Sequence, residues 1–257
     1  DVVYVVAPVE PAAAGAAPNA GAERESAPLK LTENECSTIG TELVHALTRA
    51  IMGPAPEPAL WEVDANLRPE GKDGPLVRTV ESYVQYYKRW AENWEFQALL
   101  KARPIAGSAQ LGARYARAID PFVWESAGRE SFVESVQAMR ARVTDNIPSN
   151  QVDRQIKLGP GGLRDIEFTV QLLQLVHGRT DAFLRVRSTL DAIEALREGG
   201  YIARSDADQL SSCYRFLRAV EHRTQLPRMR RNHLIPDKDS DLRVLGRAMD
   251  PVRYHDA

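Results

Sequence analysis

The sequence predicts an α+β protein in which a small α/β part precedes a longer all-helical part. Three observations carry this expectation. The run "DVVYVVA" opens the chain with consecutive β-branched residues, and "WEVDANLR" at residues 61–68 alternates apolar with polar. After Arg78 the remaining stretch, roughly 180 residues, carries charged and apolar residues at helical spacing with almost no strand signal. Prolines at 104, 121, 148 and 160 punctuate it. A boundary near Pro104 is expected, giving domains over 1–104 and 105–257.

The first strand is a continuous apolar run of the kind buried on both faces, and it starts on the first residue with no cap or leader; the sequence therefore reads as a piece cut inside a domain. Residues 8–28, "PVEPAAAGAAPNAGAERESAP", are rich in Ala, Pro and Gly without periodicity and predict a disordered, mobile surface insert. Thr32-x-x-Glu35 is a capping box, and Ile39, Leu43 and Leu47 form the apolar stripe of a helix ending at Gly53.

In "LWEVDANLRPEGKDGPLV", residues 60–77, a strand would turn Trp61, Val63, Ala65 and Leu67 to a core and Glu62, Asp64, Asn66 and Arg68 to the other side. Two acids would then stand about 7 Å apart along one face. Pro69 stops the ladder, and Gly71 and Gly74 make a tight connection into a second short strand, Leu76 to Val80. An edge hairpin with one solvated face and a face that holds a metal both fit this pattern. Beyond it the spacing predicts helices over about 80–103, 109–119, 128–145, 162–177, 188–198, 205–226 and 238–248.

Composition bounds the function. With 257 residues, 44% hydrophobic and 26% charged, the chain can bury a sizeable core. A formal net charge of -2 argues against gripping nucleic acid through its phosphates, and no run approaches a membrane span. Cys36 and Cys213, far apart and in helical contexts, make no disulfide framework, which fits a reducing cytoplasm. A protein or small-molecule substrate is expected.

"KLGPGGLRDIEFTVQLLQLVHG", residues 157–178, delivers three glycines and a proline into a helix. Gly161 and Gly162 stand where first-turn N–H groups suit an anion, although helices commonly start this way without one. Leu163, Ile166, Val170 and Leu173 form a core stripe; Arg164, Glu167, Gln171 and Gln174 form a polar one. Asp165 and Glu167 lie about 200° apart around the axis, so one acid at most serves a cleft. Glu167 is that candidate, and Asp165 suits the helix N-terminus. In "YYKRWAENWEFQALLKARPIAG" the aromatics Tyr86, Tyr87, Trp90 and Trp94 fit a core, whereas Lys101 and Arg103 are candidates for phosphate contacts. Arg215, Arg218, Arg223, Arg228, Arg230 and Arg231 suit a solvated or partner-facing surface.

Taken together, "EVDANLRPEGKDGPLVRT", "WEFQALLKARPIAG" and "KLGPGGLRDIEF", in this order and at these separations, resemble the bifunctional glutamine synthetase adenylyltransferase/adenylyl-removing enzymes over nearly the whole chain. The resemblance implies a partial polymerase-β-like nucleotidyltransferase domain followed by a helical bundle. It implies Mg²⁺, ATP or ADP and phosphate as cofactor and substrates, a cytoplasmic enzyme of nitrogen assimilation, and glutamine synthetase and PII signalling protein as partners. In that superfamily two acids of an Asp-x-Asp and a third acid on another strand hold two metals. Asp64 matches the third acid and Asp1 the second of the pair, so the first would lie upstream; Glu62 and Asn66 would support Asp64 from the same face. Two cations about 4 Å apart need such neutralisation while they clamp an in-line displacement.

One half of these enzymes transfers AMP from ATP to a tyrosine of glutamine synthetase, and the other removes it with phosphate, releasing ADP. "GPLVRT", "LLQLVHGRTDAFLRVRSTLDAIEAL" and "CYRFLRAVEHRTQLPR" are more similar to the N-terminal, adenylyl-removing half. Two alternatives stand beside this: a related PII uridylyltransferase, and a non-catalytic docking module. With part of the carboxylate set outside it, the chain alone is expected to be inactive.

Overall fold

The computed structural model describes residues 1–8, 31–53, 59, 62–228 and 231–249. The expected insert, beyond Pro8, and Trp61 lie outside the described residues. In chain order the regular elements are β1 (Tyr4–Val6), α1 (Glu33–Met52), β2 (Val77–Thr79), α2 (Val80–Arg89) and α3 (Asn93–Leu99). They continue with α4 (Ala109–Glu125), α5 (Phe132–Asp145), α6 (Leu163–His177), α7 (Thr189–Glu198), α8 (Arg204–Gln225) and α9 (Asp239–Met249). None of the described helices is long and apolar enough to cross a membrane.

The chain forms two compact units that exchange chain around residue 104: Asp1–Ala91 with Arg103–Asp120, and Glu92–Ala102 with Pro121–Ala257. In the first unit β1 and β2 pair in parallel, Tyr4 opposite Val77 and Val6 opposite Thr79. Thr79 ends the strand and caps the next helix, its side chain accepting from Ser82 N–H, so the expected strand to Val80 gives way one residue early to α2. Val77 of β2 and Val80, Tyr83 and Tyr87 of α2 are buried. The Tyr83 hydroxyl donates to the Tyr4 carbonyl at 3.2 Å, and its ring meets that of Tyr115 edge-on at 5.1 Å.

The hairpin expected at 61–80 does not form. Residues 62–65 carry no strand, and β2 pairs with β1 rather than with them. Turn chemistry outweighs the alternating pattern here. Asp64 Oδ1 accepts the Asn66 N–H at 2.8 Å, and the Arg68 guanidinium reaches the carbonyls of Ala65, Lys72 and Gly74. These bonds offer the backbone a closed local alternative to a ladder. Leu67 is accordingly exposed, the reverse of the strand expectation, and Pro69 is fully buried.

Helix α1 starts as its sequence dictates, with the reciprocal Thr32–Glu35 capping box in place. Its buried face differs from the expected one. Ile39, Leu43 and Leu47 are exposed at 44, 65 and 49%, and Cys36, Gly40 and Val44 are buried instead. Gly40 explains the choice: a Cβ there would stand 2.7 Å from Val6 Cγ1 and 3.0 Å from Val77 Cγ1, so the absent side chain lets the helix lie directly on both strands.

The single helix expected over 80–103 is broken at Trp90–Glu92, where extended Glu92 starts α3 through a capping box with Glu95. The helix expected over 109–119 runs on through Pro121 to Glu125. The second unit has its core where α6, α7 and α8 meet, with Leu163, Ile166, Val170, Leu184, Ile193, Leu196 and Tyr214 buried together. The glutamines of the expected polar stripe are structural: Gln171 accepts from Gln97 at 2.9 Å, and Gln174 donates to the carbonyls of Leu184 and Val186.

Candidate functional site

Asp1 and Asp64 lie on neighbouring segments of the first unit, because the N–H of Val2 donates to the Asp64 carbonyl at 2.7 Å. Asp1 is exposed and Asp64 half-buried. The bond from Asn66 N–H fixes the Asp64 side chain without consuming its second oxygen. The structure does not assemble Asp1, Glu62 and Asp64 into one cage: among the described residues no group of three or more His, Cys, Asp or Glu side chains could hold a metal ion. The shared face of Glu62 and Asp64 required a strand that is not there. Two Asp carboxylates nevertheless fit Mg²⁺, a hard cation commonly bound through one or two carboxylates with waters and substrate phosphates in its other positions.

The second set of candidates gathers around Glu167 in the helical unit. Its side chain is 13% exposed, with Oε1 3.3 Å from the Tyr214 hydroxyl and 4.0 Å from Lys101 Nζ, and Oε2 3.5 Å from Arg164. Lys101 Nζ also donates to Thr189 Oγ1 at 2.9 Å. Desolvation holds the Lys101 ammonium below its ordinary range; Glu167 opposes that shift, and Arg218 and Arg164 add to it. Burial raises the Tyr214 phenol in turn. A carboxylate thus steadies an ammonium and a phenol that both border open space.

The glycine-rich start of α6 does not offer the unpaired donors expected of Gly161 and Gly162. Gly162 N–H donates to Gly159, Leu163 N–H to Ile156 and Arg164 N–H to Lys157, all at 2.9–3.0 Å. Gly161, at φ +71°, makes the left-handed turn that lets the loop fold back on the helix end, and its N–H donates to Asp165 Oδ2 at 2.6 Å. Asp165 is also paired with Arg140. The loop therefore satisfies its own helix, and Asp165 serves that closure while Glu167 points to the basic cluster. Arg103 is exposed and belongs to the other compact unit.

Sequence spacing alone missed Arg187, Thr189, Tyr214 and His222, which join Lys101, Arg215 and Arg218 around a groove of about 520 Å³. The signal was present on α8, where residues 215, 218, 219 and 222 follow the i, i+3, i+4, i+7 spacing of one helix face.

Residues 22–118 match the protein-family model described as glutamate-ammonia ligase adenylyltransferase, and residues 134–255 match that described as GlnD PII-uridylyltransferase. The chain is 58% identical over 224 residues to a bifunctional glutamine synthetase adenylyltransferase/adenylyl-removing enzyme of Streptomyces coelicolor, covering 86% of this chain and 22% of the relative. The chain belongs to the glutamine synthetase adenylyltransferase/adenylyl-removing enzyme family. Its counterparts in Leifsonia xyli, 60% identical over 82% of this chain and 21% of the relative, and in Mycobacterium tuberculosis, 58% over 74% and 19%, carry the same description. The chain thus spans about a fifth of the length of these curated relatives. Within the family, the second model match falls on the helical stretch that holds α6 to α9, so this part of the chain is also similar to a uridylyl-transferring family.

Proposed function

We propose that the chain is part of an enzyme that controls glutamine synthetase by Mg²⁺-dependent transfer of AMP at a tyrosine, and that it contributes to the half that removes the adenylyl group with phosphate, giving ADP. The observation that carries this reading is the Val2–Asp64 hydrogen bond, which sets the two Asp candidates for metal binding on adjacent segments. Mg²⁺ bound by Asp1 and Asp64 would neutralise phosphate oxygens and polarise the phosphorus under attack. Asn66 orients Asp64. Within the helical unit, Lys101 and Arg164, held by Glu167, are a separate cluster of positive charge suited to a phosphate group. Partners of the reading are glutamine synthetase and PII signalling protein, in the cytoplasm.

The match of the helical part to a PII-uridylyltransferase model supports a second reading, uridylyl transfer to PII. The two differ in nucleotide. The intact enzyme is incubated with adenylylated glutamine synthetase, Mg²⁺ and phosphate, and separately with PII and UTP. ADP release in the first and no modification in the second is the expected outcome; PII uridylylation without ADP release would replace the first reading by the second.

A further inference from the structure

The turn that carries Asp64 is held from two directions. From the β1 side the Val2 N–H donates to the Asp64 carbonyl at 2.7 Å. From the other side stands the guanidinium of Arg68, which donates through Nη1 to the Ala65 carbonyl at 2.8 Å, through Nη2 to that of Lys72 at 3.1 Å and through Nε to that of Gly74 at 3.2 Å. Ala65 adjoins Asp64 in the chain, and Gly74 lies just ahead of β2. One planar fork therefore ties the Asp64 turn to the loop that leads into the strand paired with β1. The loop closes tightly around this tie. A Cβ at Gly74 would stand 2.2 Å from the Pro69 carbonyl oxygen, and Glu70 keeps a left-handed backbone at φ +63° while its carboxylate pairs with Arg78 of β2. Such a conformation persists in a residue with a side chain only where its surroundings hold it.

The fork also leaves the nearby carboxylate alone. Arg68 donates to backbone oxygens and makes no ion pair among the described residues, whereas Asp64 accepts the Asn66 N–H at 2.8 Å and keeps an oxygen for a cation. Mg²⁺ demands near-ideal octahedral geometry at short metal–oxygen distances, so a small displacement of a ligand carboxylate weakens its grip. We infer that Arg68 is a positioning residue of the metal site: by joining the Ala65 carbonyl to those of Lys72 and Gly74, it fixes the place at which Asp64 meets the cation. The inference rests on the proposed role of Asp64 in holding Mg²⁺. Arg68 touches neither metal nor substrate and acts through Asp64. Lysine in its place would keep the charge, but one compact ammonium does not reproduce a fork that spans three carbonyls.

Two readouts on the intact enzyme test it. Titration with Mn²⁺, which takes the same oxygen ligands and is followed by electron paramagnetic resonance, gives metal affinity, with Asp64→Asn defining the part of the binding that depends on Asp64. The adenylyl-removing rate is measured across Mg²⁺ concentrations. Arg68→Lys should weaken the Asp64-dependent Mn²⁺ binding and raise the Mg²⁺ concentration at half-maximal rate by about fivefold or more, with the KM for adenylylated glutamine synthetase unchanged. In the Asp64→Asn background the same change should add less than about twofold, because a residue acting through Asp64 has nothing left to place. Thr32→Ala, which removes the cap of α1 in the same unit, should lower the thermal midpoint and leave both metal readouts at their parent values. Arg68→Gln is measured beside Arg68→Lys and should weaken metal binding at least as much. Parent-like metal affinity in either folded Arg68 variant while Asp64→Asn weakens it, or effects of the two sites that simply multiply, would overturn the inference and leave the reading of Asp64 standing. Failure of both Arg68 variants to fold would make Arg68 a residue of the fold alone and overturn it too. Unchanged metal binding in Asp64→Asn would remove that reading, and the inference with it.

Discussion

Gly40 of α1 lies so close to Val77 of β2 that a Cβ at position 40 would come within 3.0 Å of the valine methyl. The same Cβ would press on Val6 of β1 at 2.7 Å, so one glycine sets the distance of the helix from both strands that follow the Asp1 and Asp64 segments.

Gly40→Ala should therefore destabilise. Helix propensity favours Ala by about 1 kcal/mol, but overpacking a buried contact costs about 1–3 kcal/mol, and stiff valine side chains cannot swing away. A lowered thermal midpoint is the expected outcome, and a raised one would show that the strands yield freely.

Most helices were legible in the sequence because their ends are written locally, as Thr32 and Glu35 show in α1. The strand pairing was not. Alternation at 61–68 measures only how apolar residues are spaced, whereas the Asp64–Asn66 bond and the three carbonyl contacts of Arg68 decide the backbone there. The partner of β2 lies more than 70 residues upstream, a separation that periodicity does not encode. The start of α6 misled for a related reason: glycine signals a turn, but not that the turn folds back to satisfy the helix's own N–H groups. The separate placements of Asp165 and Glu167 were legible, since helical spacing alone puts them on different faces.

That separation predicts different responses to removing charge. Glu167→Gln in the intact enzyme should lower turnover by about tenfold or more with little change in thermal midpoint, because it removes the counter-charge of Lys101 and Arg164. Asp165→Asn should lower the midpoint, because it weakens both the Arg140 pair and the closure on Gly161. Paired measurements of turnover and midpoint check this; the opposite pattern would move the functional carboxylate to Asp165.

Lys101 should titrate lower still in Glu167→Gln. Desolvation already depresses its ammonium, and Glu167 is the neighbour that opposes the shift. With its folded pKa below the unfolded one, Lys101 makes stability rise with pH through the interval between the two, and the Gln variant should widen that interval downward. Titration of the isotopically labelled lysine side chain reads the change directly. An unmoved midpoint would place the Glu167 charge too far away to matter.

Glu221 should make the helical unit acid-sensitive. Its carboxyl is held below the ordinary range, first by the imidazole of His233 at 3.1 Å and also by Arg218 and Lys157. A depressed carboxylate contributes stability above its unfolded pKa that is lost as pH falls through the folded value. Glu221→Gln should therefore destabilise the unit near neutrality and by less in strong acid, where both forms are neutral. Denaturation midpoints at both pH values check the convergence, and a constant difference would contradict it.

The most direct test of the account is the rate of Mg²⁺-dependent, phosphate-driven adenylyl removal by the intact enzyme carrying Asp64→Asn. Asn keeps the shape and the bond to the Asn66 N–H but removes a charge worth about 4 kcal/mol against a cation 4 Å away at an effective dielectric near 20. The account predicts a loss of about a hundredfold or more with an unchanged thermal midpoint; a rate equal to the parent's at saturating Mg²⁺ would contradict it.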